Sequence, residues 1–490
     1  MRRAGILNAI SSLPGSYGVG DFGKDAYKFV DILVENCITL WQILPLHPLG
    51  YGNSPYQPYS SYAGDEIYIS VSELIDINLI AEHDVTDSLV INNRCDFDKC
   101  RIIKDKYLKL AYNNHFSDAQ LVAEFYVFKN ETDWLDGYAK FISFKKINNN
   151  VSWSDWSYKE KTYINHPYEL DEELLTSIDY EKFVQFIFFK QWSKLKCYAN
   201  EKGIEIMGDM PIYVGYDSAD VYQDQKSFLL DDDGRPTFIA GVPPDFFSAD
   251  GQRWGNPIYD WNYLEQNNFE FWIKRLKWAN KIYDITRIDH FRAFDTYWKI
   301  RSSCSTARDG EWVEAPGYKL FDMIYQEIPK IRIVAEDLGD LRKEVLELRD
   351  HYNLSGMKII QFSLDLNDHN YNLEDKTNII VYSGTHDNAT NKGWYQSLEP
   401  IEKYKLKKIL KGFDGHNAVQ RINHLCVSSN ADLVILPTQD ILEYDNNSRM
   451  NIPGTIGGIN WQYKLKSIAE LNKKITNYKN LIIKEKRYNN

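Results

Sequence analysis

Four acidic side chains follow short apolar runs, and this repeated pattern is the most chemically suggestive feature of the sequence. The clearest case is Asp289, which follows an apolar and β-branched run and is flanked by Arg287 and His290. A single charged strand end is equally consistent with a surface ion pair. Because the pattern recurs along the chain, we predict that the acids meet in one site. They are Asp209, Asp289, Glu336 and Asp387.

Two of these acids could together break a glycosidic bond. In such chemistry one carboxylate attacks the anomeric carbon while a second, protonated carboxyl group delivers its proton to the leaving oxygen. Arg287 lies two residues before Asp289, hence on the same face of a strand, where its charge would lower the pKa of Asp289. The general acid, Glu336, needs burial or a carboxylate neighbour to raise its pKa. Asp387 would supply that neighbour and hold sugar hydroxyls.

A metal site is the alternative chemistry. His290 and His386 adjoin two of the acids, and hard cations bind such oxygen and nitrogen ligands. Against this, the sequence has no pair of histidines spaced i, i+4, and adjacent strand residues such as Asp289 and His290 point to opposite faces. The six cysteines are scattered and do not have the paired spacing of a zinc site. We therefore expect neither a metal ion nor another cofactor.

Eight short apolar runs are predicted to be the strands that position these acids. Helical patterns separate most of them, which is the order of a (β/α)₈ TIM barrel. A doubly wound open sheet is the structural alternative, but only a barrel would bring acids from four strand ends to one mouth. The runs cover residues 5–10, 38–46, 204–209, 282–288, 331–335, 356–362, 378–383 and 432–436.

The domain organisation predicted from these runs is one catalytic barrel domain over residues 1–490, with long insertions between barrel strands. The insertion at about 50–200 is mostly helical in pattern, and we expect Trp134, Trp153 and Trp156 to form its core. The insertion at about 213–275 is expected to form loops around the site, and its part at 243–255 has few strand or helix signals but many groups able to bind a ligand. His47 and His351 are interpreted as structural histidines.

Composition excludes several classes of partner. The formal net charge of -12 and the isoelectric point near 5.4 argue against binding to nucleic acid. No run of about 18 apolar residues is present, so no membrane helix is expected, and the first residues do not form a convincing signal peptide. Aromatic residues make up 14% of the chain, which favours stacking against sugars. We expect a soluble, cytoplasmic, monomeric protein.

Several strings in the chain resemble motifs of α-glucan-active barrel enzymes and, more closely, of the 4-α-glucanotransferases (amylomaltases or disproportionating enzymes, glycoside hydrolase family 77). The resemblance extends from about Ile6 to Trp461, and it depends on the joint order and spacing of the strings. They are Ser54-Pro55-Tyr56, Gly208-Asp209-Met210-Pro211, the 244–255 loop, Arg287-Ile288-Asp289-His290, Ala335-Glu336-Asp337-Leu338-Gly339, Gly384-Thr385-His386-Asp387-Asn388 and Arg449-Met450-Asn451-Ile452-Pro453.

This resemblance implies Asp289 as nucleophile, Glu336 as general acid and base, and Asp387 as stabiliser of the transition state. It also implies that the loop around Trp254 covers the cleft and limits the access of water. One departure is Gln462, where the family more often has an arginine, and this puts a local salt bridge in doubt. The implied sugar contacts are Ser54, Tyr56, Asp209, Gln252, Trp254, Arg287, His290, His386 and Asn451.

The function implied is retaining transfer of an α-1,4-glucan segment to the 4-hydroxyl of another glucan or of glucose, with maltooligosaccharides as substrates. Retention would require the carboxyl groups of Asp289 and Glu336 to lie about 5 to 5.5 Å apart. The residues alone do not separate transfer from hydrolysis, because both use the same covalent intermediate. A glucan hydrolase and a catalytically inactive glucan-binding protein are the alternative functions.

Overall fold

The computed structural model describes residues 2–88, 93–244, 248–367, 370–373 and 377–488. Residues 245–247, within the loop that the sequence places around Trp254, lie outside these ranges. Within the described residues the strands are β1 Arg3–Leu7, β2 Leu40–Gln42, β3 Glu205–Met210, β4 Phe238–Val242, β5 Gln252–Pro257, β6 Ile285–Ile288, β7 Thr296–Arg301, β8 Gly310–Glu314, β9 Ile333–Ala335, β10 Gly356–Ile359, β11 Leu364–Asp365, β12 Asn370–Tyr371, β13 Ile379–Tyr382 and β14 Leu433–Pro437.

The α-helices surround and separate these strands. They are α1 Lys24–Glu35, α2 Val71–Asp76, α3 Phe97–Asn114, α4 Ala119–Glu131, α5 Leu135–Ile147, α6 Tyr158–Lys161, α7 Glu172–Glu201, α8 Ala219–Gln223, α9 Trp261–Gln266, α10 Glu270–Ile282, α11 Gly317–Glu327, α12 Lys343–His351, α13 Ile360–Ser363, α14 Asn391–Ser397, α15 Pro400–Ile409, α16 Ala418–Ser428, α17 Thr438–Ile441, α18 Ile468–Lys474 and α19 Thr476–Lys484. In the described part of the chain, no helix combines the length and the hydrophobicity needed to cross a membrane.

Eight of the strands form a parallel barrel in the order β10-β13-β14-β1-β2-β3-β6-β9. The two end strands approach each other through a parallel bridge between Val334 and Ser355, which nearly closes the sheet. The predicted (β/α)₈ barrel is confirmed, and the alternative of an open doubly wound sheet is wrong. Each predicted apolar run overlaps one barrel strand, because such runs are buried on both faces of a parallel sheet.

Several predicted strands are too long, including the run at 38–46, which is a strand only over Leu40–Gln42. The run at 356–362 is a strand only over Gly356–Ile359, after which the chain turns into the short helix Ile360–Ser363. The Ser363 hydroxyl donates to the backbone carbonyl of Ile359, and the Gln361 amide donates to the backbone carbonyl of Ala389. These local and long-range bonds favour the turn over further strand pairing.

The segment between β2 and β3 contains helices α2 to α7, as the helical pattern predicted. Trp153 and Trp156 are buried there, which confirms their predicted packing role, and Trp134 packs against the ring of Trp278 at 5.2 Å. His47 is buried and its Nδ1 lies 3.0 Å from the carbonyl oxygen of Ala63, as expected of a structural histidine.

The segment at 213–275 is more regular than predicted. It contains β4, β5 and three helices, and the two strands join β7 and β8 in an antiparallel sheet of order β5-β4-β7-β8. The expectation of a segment made of loops is therefore wrong. β4 pairs with β5 nearby, but it also pairs with β7 about 60 positions later, for example Ile239 with Ile300, so local sequence patterns carry little information about the sheet as a whole.

Candidate active site

The ends of four barrel strands bring the predicted acids together. Asp209 on β3 pairs in register with Arg287 on β6, and Ile288 on β6 pairs with Ala335 on β9. Asp289 and Glu336 directly follow these last two residues, while Asp387 lies in the loop after β13. Since the barrel strands are parallel, their carboxyl ends open at one mouth. The barrel thus converts separate strand ends into one site.

Arg287 is the centre of the first ionic group in this site. Its Nη1 lies 2.7 Å from both carboxylate oxygens of Asp209 and 3.1 Å from Oδ1 of Asp289. Asp209 is completely buried, and its Oδ2 also accepts a hydrogen bond from the Tyr56 hydroxyl at 2.8 Å. The Asp289 side chain keeps 27% exposure. Arg287 and Asp209 therefore form a buried ion pair, and Arg287 holds Asp289 at the edge of the cleft.

Glu336 is held by the turn that follows Asp289. The backbone N–H of His290 donates to Glu336 Oε2 at 2.6 Å, and the backbone N–H of Glu336 donates to the carbonyl of Ile288 at 3.0 Å. His290 adopts a left-handed conformation with φ of 51°, which is uncommon for a residue other than glycine. This conformation allows the turn to present its N–H to Glu336, so the two acids are positioned by one stretch of backbone.

Asp387 is held by residues from two separate parts of the chain. Asn451 donates from Nδ2 to Asp387 Oδ1 at 2.6 Å, and His386 Nε2 lies 3.3 Å from Oδ2. The Arg449 guanidinium donates to the backbone carbonyls of Asp387 and Asn451 at 2.5 and 2.6 Å. These bonds tie the segment around residue 450 to the loop after β13, and they fix both the carboxylate and the backbone that carries it.

The remaining predicted contacts line the same mouth, with one exception. The Tyr56 ring stacks on His386 at 5.2 Å, and the Trp254 ring meets the edge of His290 at 4.8 Å. Trp254 Nε1 also donates to Oε1 of Gln252 at 3.3 Å. Ser54 lies two residues before Tyr56, and its hydroxyl accepts a hydrogen bond from the backbone N–H of Tyr56 at 3.3 Å. The described contacts of Ser54 are thus within its own loop.

The surroundings divide the two acids into different protonation states. Burial, with a further contribution from the Asp289 carboxylate, raises the pKa of Glu336 to about 8, against the lowering effect of Arg287. Burial raises the pKa of Asp289 to about 6 and outweighs Arg287, which acts in the opposite direction. The predicted increase for Glu336 is confirmed, although the main carboxylate neighbour is Asp289 and not Asp387. The predicted decrease for Asp289 is wrong.

The histidines and Asp387 have distinct charge states. Burial alone would raise the pKa of Asp387, but His386 and Asn451 hold it well below its usual range. Burial opposes protonation of His386, yet the nearby Asp387 carboxylate raises the pKa of that imidazole. Burial lowers the pKa of His290 to about 3, so its ring is neutral. Asp387 is therefore ionised and lies beside His386, whose imidazole has an increased tendency to be protonated.

The donor set does not resemble a metal centre. Among the residues that the structure describes, no group of three histidine, cysteine, aspartate or glutamate side chains is arranged to hold a metal ion. The carboxylate oxygens of the site are instead bound to Arg287, Tyr56, Asn451 and a backbone N–H. The arrangement fits chemistry performed by carboxyl groups.

Comparison with known proteins identifies the family. Residues 8–470 match the family described as 4-alpha-glucanotransferase. The chain belongs to this family. It is 40% identical over 483 residues to a 4-alpha-glucanotransferase of Thermus thermophilus, with 95% of each chain covered. It is 39% identical over 474 residues to a 4-alpha-glucanotransferase of Streptococcus pneumoniae, with 95% of this chain and 93% of the relative covered.

A solved relative in the same family has the same fold. The amylomaltase from Streptococcus agalactiae in complex with acarbose superposes with a TM-score of 0.95 at 35% identity, and the match covers 100% of both chains. The likeness therefore includes the barrel, the helical segment between β2 and β3, and the additional antiparallel sheet.

Two residues of this glucanotransferase site were not among the predicted contacts. Arg449 holds Asp387 through backbone carbonyls, and Trp461 places its ring 5.6 Å from Tyr56 and 6.1 Å from His386. Both belong to stretches that resemble the family, but their contacts are with residues far away in sequence. Only the positive φ of 65° at Trp461 marks it as unusual, and that is visible in the structure alone.

Replacing Arg449 with lysine is expected to lower kcat roughly 10- to 100-fold, because a displacement of Asp387 by about 1 Å is sufficient for such a loss. A lysine keeps the charge but cannot bind the carbonyls of Asp387 and Asn451 with the same fork of donors. Initial rates on maltotriose measure the effect, with Arg235→Lys, on an exposed ion pair, as the control. An unchanged kcat would show that the hydrogen bonds from Arg449 to these two carbonyls are not needed for catalysis.

Proposed function

We propose that this protein is a retaining 4-α-glucanotransferase that acts on α-1,4-glucans through a covalent glycosyl-enzyme. The observation that carries the proposal is the difference between Asp289 and Glu336. Asp289 is bound to Arg287 and has a pKa of about 6, whereas Glu336 accepts the backbone N–H of His290 and has its pKa raised to about 8. Such a pair supplies a nucleophile and a proton donor at the same pH.

In the first step a carboxylate oxygen of Asp289 attacks the anomeric carbon of the donor glucan. The bond between that carbon and the glycosidic oxygen breaks, and Glu336 gives its proton to the departing oxygen, which becomes the 4-hydroxyl of the leaving sugar. Asp387 is ionised and held by His386 and Asn451. It can therefore accept hydrogen bonds from sugar hydroxyls and stabilise the positive charge that develops on the sugar ring in the transition state.

In the second step Glu336, now ionised, takes the proton from the 4-hydroxyl of an acceptor glucan or glucose. The acceptor oxygen attacks the anomeric carbon, and the ester bond to Asp289 breaks. Each acid returns to its starting state, and the anomeric configuration is retained after two inversions. The chemistry uses no cofactor. The expected separation of about 5 to 5.5 Å between the two carboxyl groups remains a prediction for a crystal structure to check.

The sugar contacts predicted from the sequence are part of this proposal. Tyr56, Trp254, His290 and His386 present rings around the acids. The family relative solved in complex with acarbose supports a carbohydrate as the ligand. Asp209 is completely buried, so we assign it a role through Tyr56 and Arg287 and not a direct contact. The other proposed contacts are Ser54, Gln252, Arg287 and Asn451.

Membership of the glucanotransferase family supports transfer over hydrolysis. The purified protein incubated with maltotriose is expected to give a ladder of longer maltooligosaccharides together with glucose. Separation of the products by chromatography measures this. Products that are only shorter than the substrate would indicate a hydrolase, and the absence of any products would indicate a glucan-binding protein without catalysis.

The pKa values predict a bell-shaped pH dependence of kcat/KM on maltotriose, with a maximum near about pH 7. Activity needs Asp289 ionised, and its pKa of about 6 gives the acidic limb, because protonation at lower pH removes the nucleophile. It needs Glu336 protonated, and its pKa of about 8 gives the alkaline limb. The two limbs report apparent values of the coupled pair. A rate that rises steadily into the alkaline range would contradict the assignment of Glu336.

A further inference from the structure

One ring nitrogen of His386, Nδ1, has no role in the proposed mechanism. The residue is 4% exposed, and its Nε2 faces Asp387 Oδ2 at 3.3 Å. Its Nδ1 is buried and has no hydrogen-bond partner among the described residues. A buried polar atom without a partner costs roughly 1–3 kcal/mol, so a native structure is expected to supply one.

A small cavity adjoins the His386 ring between the ends of β1 and β14. Its volume is about 10 Å³, which is the space of a single water molecule. The lining combines apolar side chains, such as Leu44 and Met450, with polar groups that could bind a water. The polar lining residues are Asn8, Thr385, His386, Gln439 and Tyr463.

Among the polar groups around this cavity, Oε1 of Gln439 keeps the capacity to accept a hydrogen bond. The Thr438 hydroxyl donates to Asn8 Oδ1 at 2.8 Å, which uses its only proton. The Gln439 amide nitrogen donates to the carbonyl of Ser448 at 3.3 Å, which fixes the orientation of the amide. Oε1 of Gln439 lies 3.4 Å from the Thr438 oxygen, whose proton is already committed. Gln439 Oε1 is therefore free to accept from a ligand in the cavity.

We infer that this cavity binds one water, which accepts a hydrogen bond from Nδ1–H of His386 and donates one to Oε1 of Gln439. Gln439 is then a positioning residue that acts on Asp387 through the water and His386. A proton on Nδ1 bound to the water and a proton on Nε2 facing Asp387 together favour the imidazolium form and fix the orientation of the ring. The catalytic meaning of this link depends on the proposed function, whereas the water site itself does not.

The charge of His386 is also set by groups on the other sides of its ring. The Asp387 carboxylate and, at greater distance, Asp209 favour the imidazolium, while burial and Arg287 oppose it. Tyr56 covers one face of the ring at 5.2 Å. The inferred water, held by Gln439, adds a hydrogen-bond acceptor for Nδ1–H, and none of the other groups supplies one. Removing Oε1 should therefore change the titration of His386 without changing Asp387, Asp209 or Arg287.

A crystal structure of the wild-type protein tests the water directly. We expect density for one water within about 3 Å of both His386 Nδ1 and Gln439 Oε1. A structure at high resolution in which Nδ1 has no water, or is paired with a protein group, would overturn the inference. This measurement needs no activity, so it stays informative even if the protein is not a glucanotransferase.

The role of Gln439 is tested with Gln439→Met, which keeps the length of the side chain but removes the acceptor. The ring nitrogens of His386, followed by NMR with labelled histidine, are expected to titrate about one unit lower than in the wild type. We expect kcat on maltotriose to fall about tenfold with little change in KM, since the lost bond is to a charged group. An unchanged titration of His386 would overturn the positioning role.

Gln191→Met is the matched control for this variant. Gln191 is also a buried glutamine, and its amide makes two hydrogen bonds to the backbone of Ser70 in the helical segment away from the site. Its replacement should lower stability but leave the titration of His386 and kcat unchanged. If Gln191→Met shifted the titration as much as Gln439→Met, a general loss of packing would explain both, and the inference would fail.

Discussion

Asp289→Asn is expected to reduce turnover of maltotriose by about 10⁴-fold or more, because the amide cannot form the covalent bond to the anomeric carbon. The substitution preserves the size and shape of the side chain, and an amide oxygen can still accept from Arg287 at the present distance of 3.1 Å. Intact-protein mass spectrometry after mixing with maltosyl fluoride measures the step directly. The wild type should gain the mass of a maltosyl group, and the variant should not.

Asp136→Asn provides the matched control for the nucleophile. Asp136 is an exposed residue on α5 that pairs with Lys140 and Lys182, so its replacement should leave turnover unchanged. If Asp289→Asn kept its turnover, or formed the maltosyl adduct at the normal rate, the covalent mechanism would have to be assigned to another residue. Loss of activity in both variants would indicate a folding defect.

Glu336→Gln is expected to lower kcat on maltotriose by roughly 10²- to 10⁴-fold, the usual contribution of a general acid and base. Glutamine has no proton to give to the leaving oxygen, although it can still accept the N–H of His290. Formation of the glycosyl-enzyme from maltosyl fluoride should be much less affected, because fluoride departs without a proton. The intermediate should then accumulate, and added azide should release it as a glycosyl azide of retained configuration.

The pH profile gives this variant a second signature. The alkaline limb of kcat/KM should disappear in Glu336→Gln, since the group with a pKa of about 8 is gone. Glu124→Gln should keep both limbs, because it alters only a partly exposed ion pair between Glu124 on α4 and Lys190 on α7. If the alkaline limb persisted in Glu336→Gln, or if azide gave no rescue, Glu336 would not be the acid and base.

Much of the fold could be predicted because its information is local. Apolar runs such as 433–437, buried along their whole length, indicate parallel strands without reference to the rest of the chain. Their number and order then predict a barrel, and a barrel predicts that the acids after its strands share a mouth. The antiparallel sheet of β4, β5, β7 and β8 was missed, since the pairing of β4 with β7 that joins its two halves links residues about 60 positions apart.

The sequence by itself determined which groups we propose for the chemistry: a carboxylate preceded by an arginine, and two further acids at later strand ends. Only the tertiary structure decided how each acid behaves. Arg287 gives both close contacts to Asp209 and a longer one to Asp289, so burial controls the pKa of Asp289. The bonds from Arg449 and Asn451 to the Asp387 loop cross more than 60 residues. Desolvation and hydrogen bonding depend on neighbours in space, and those neighbours come from segments that local sequence cannot bring together.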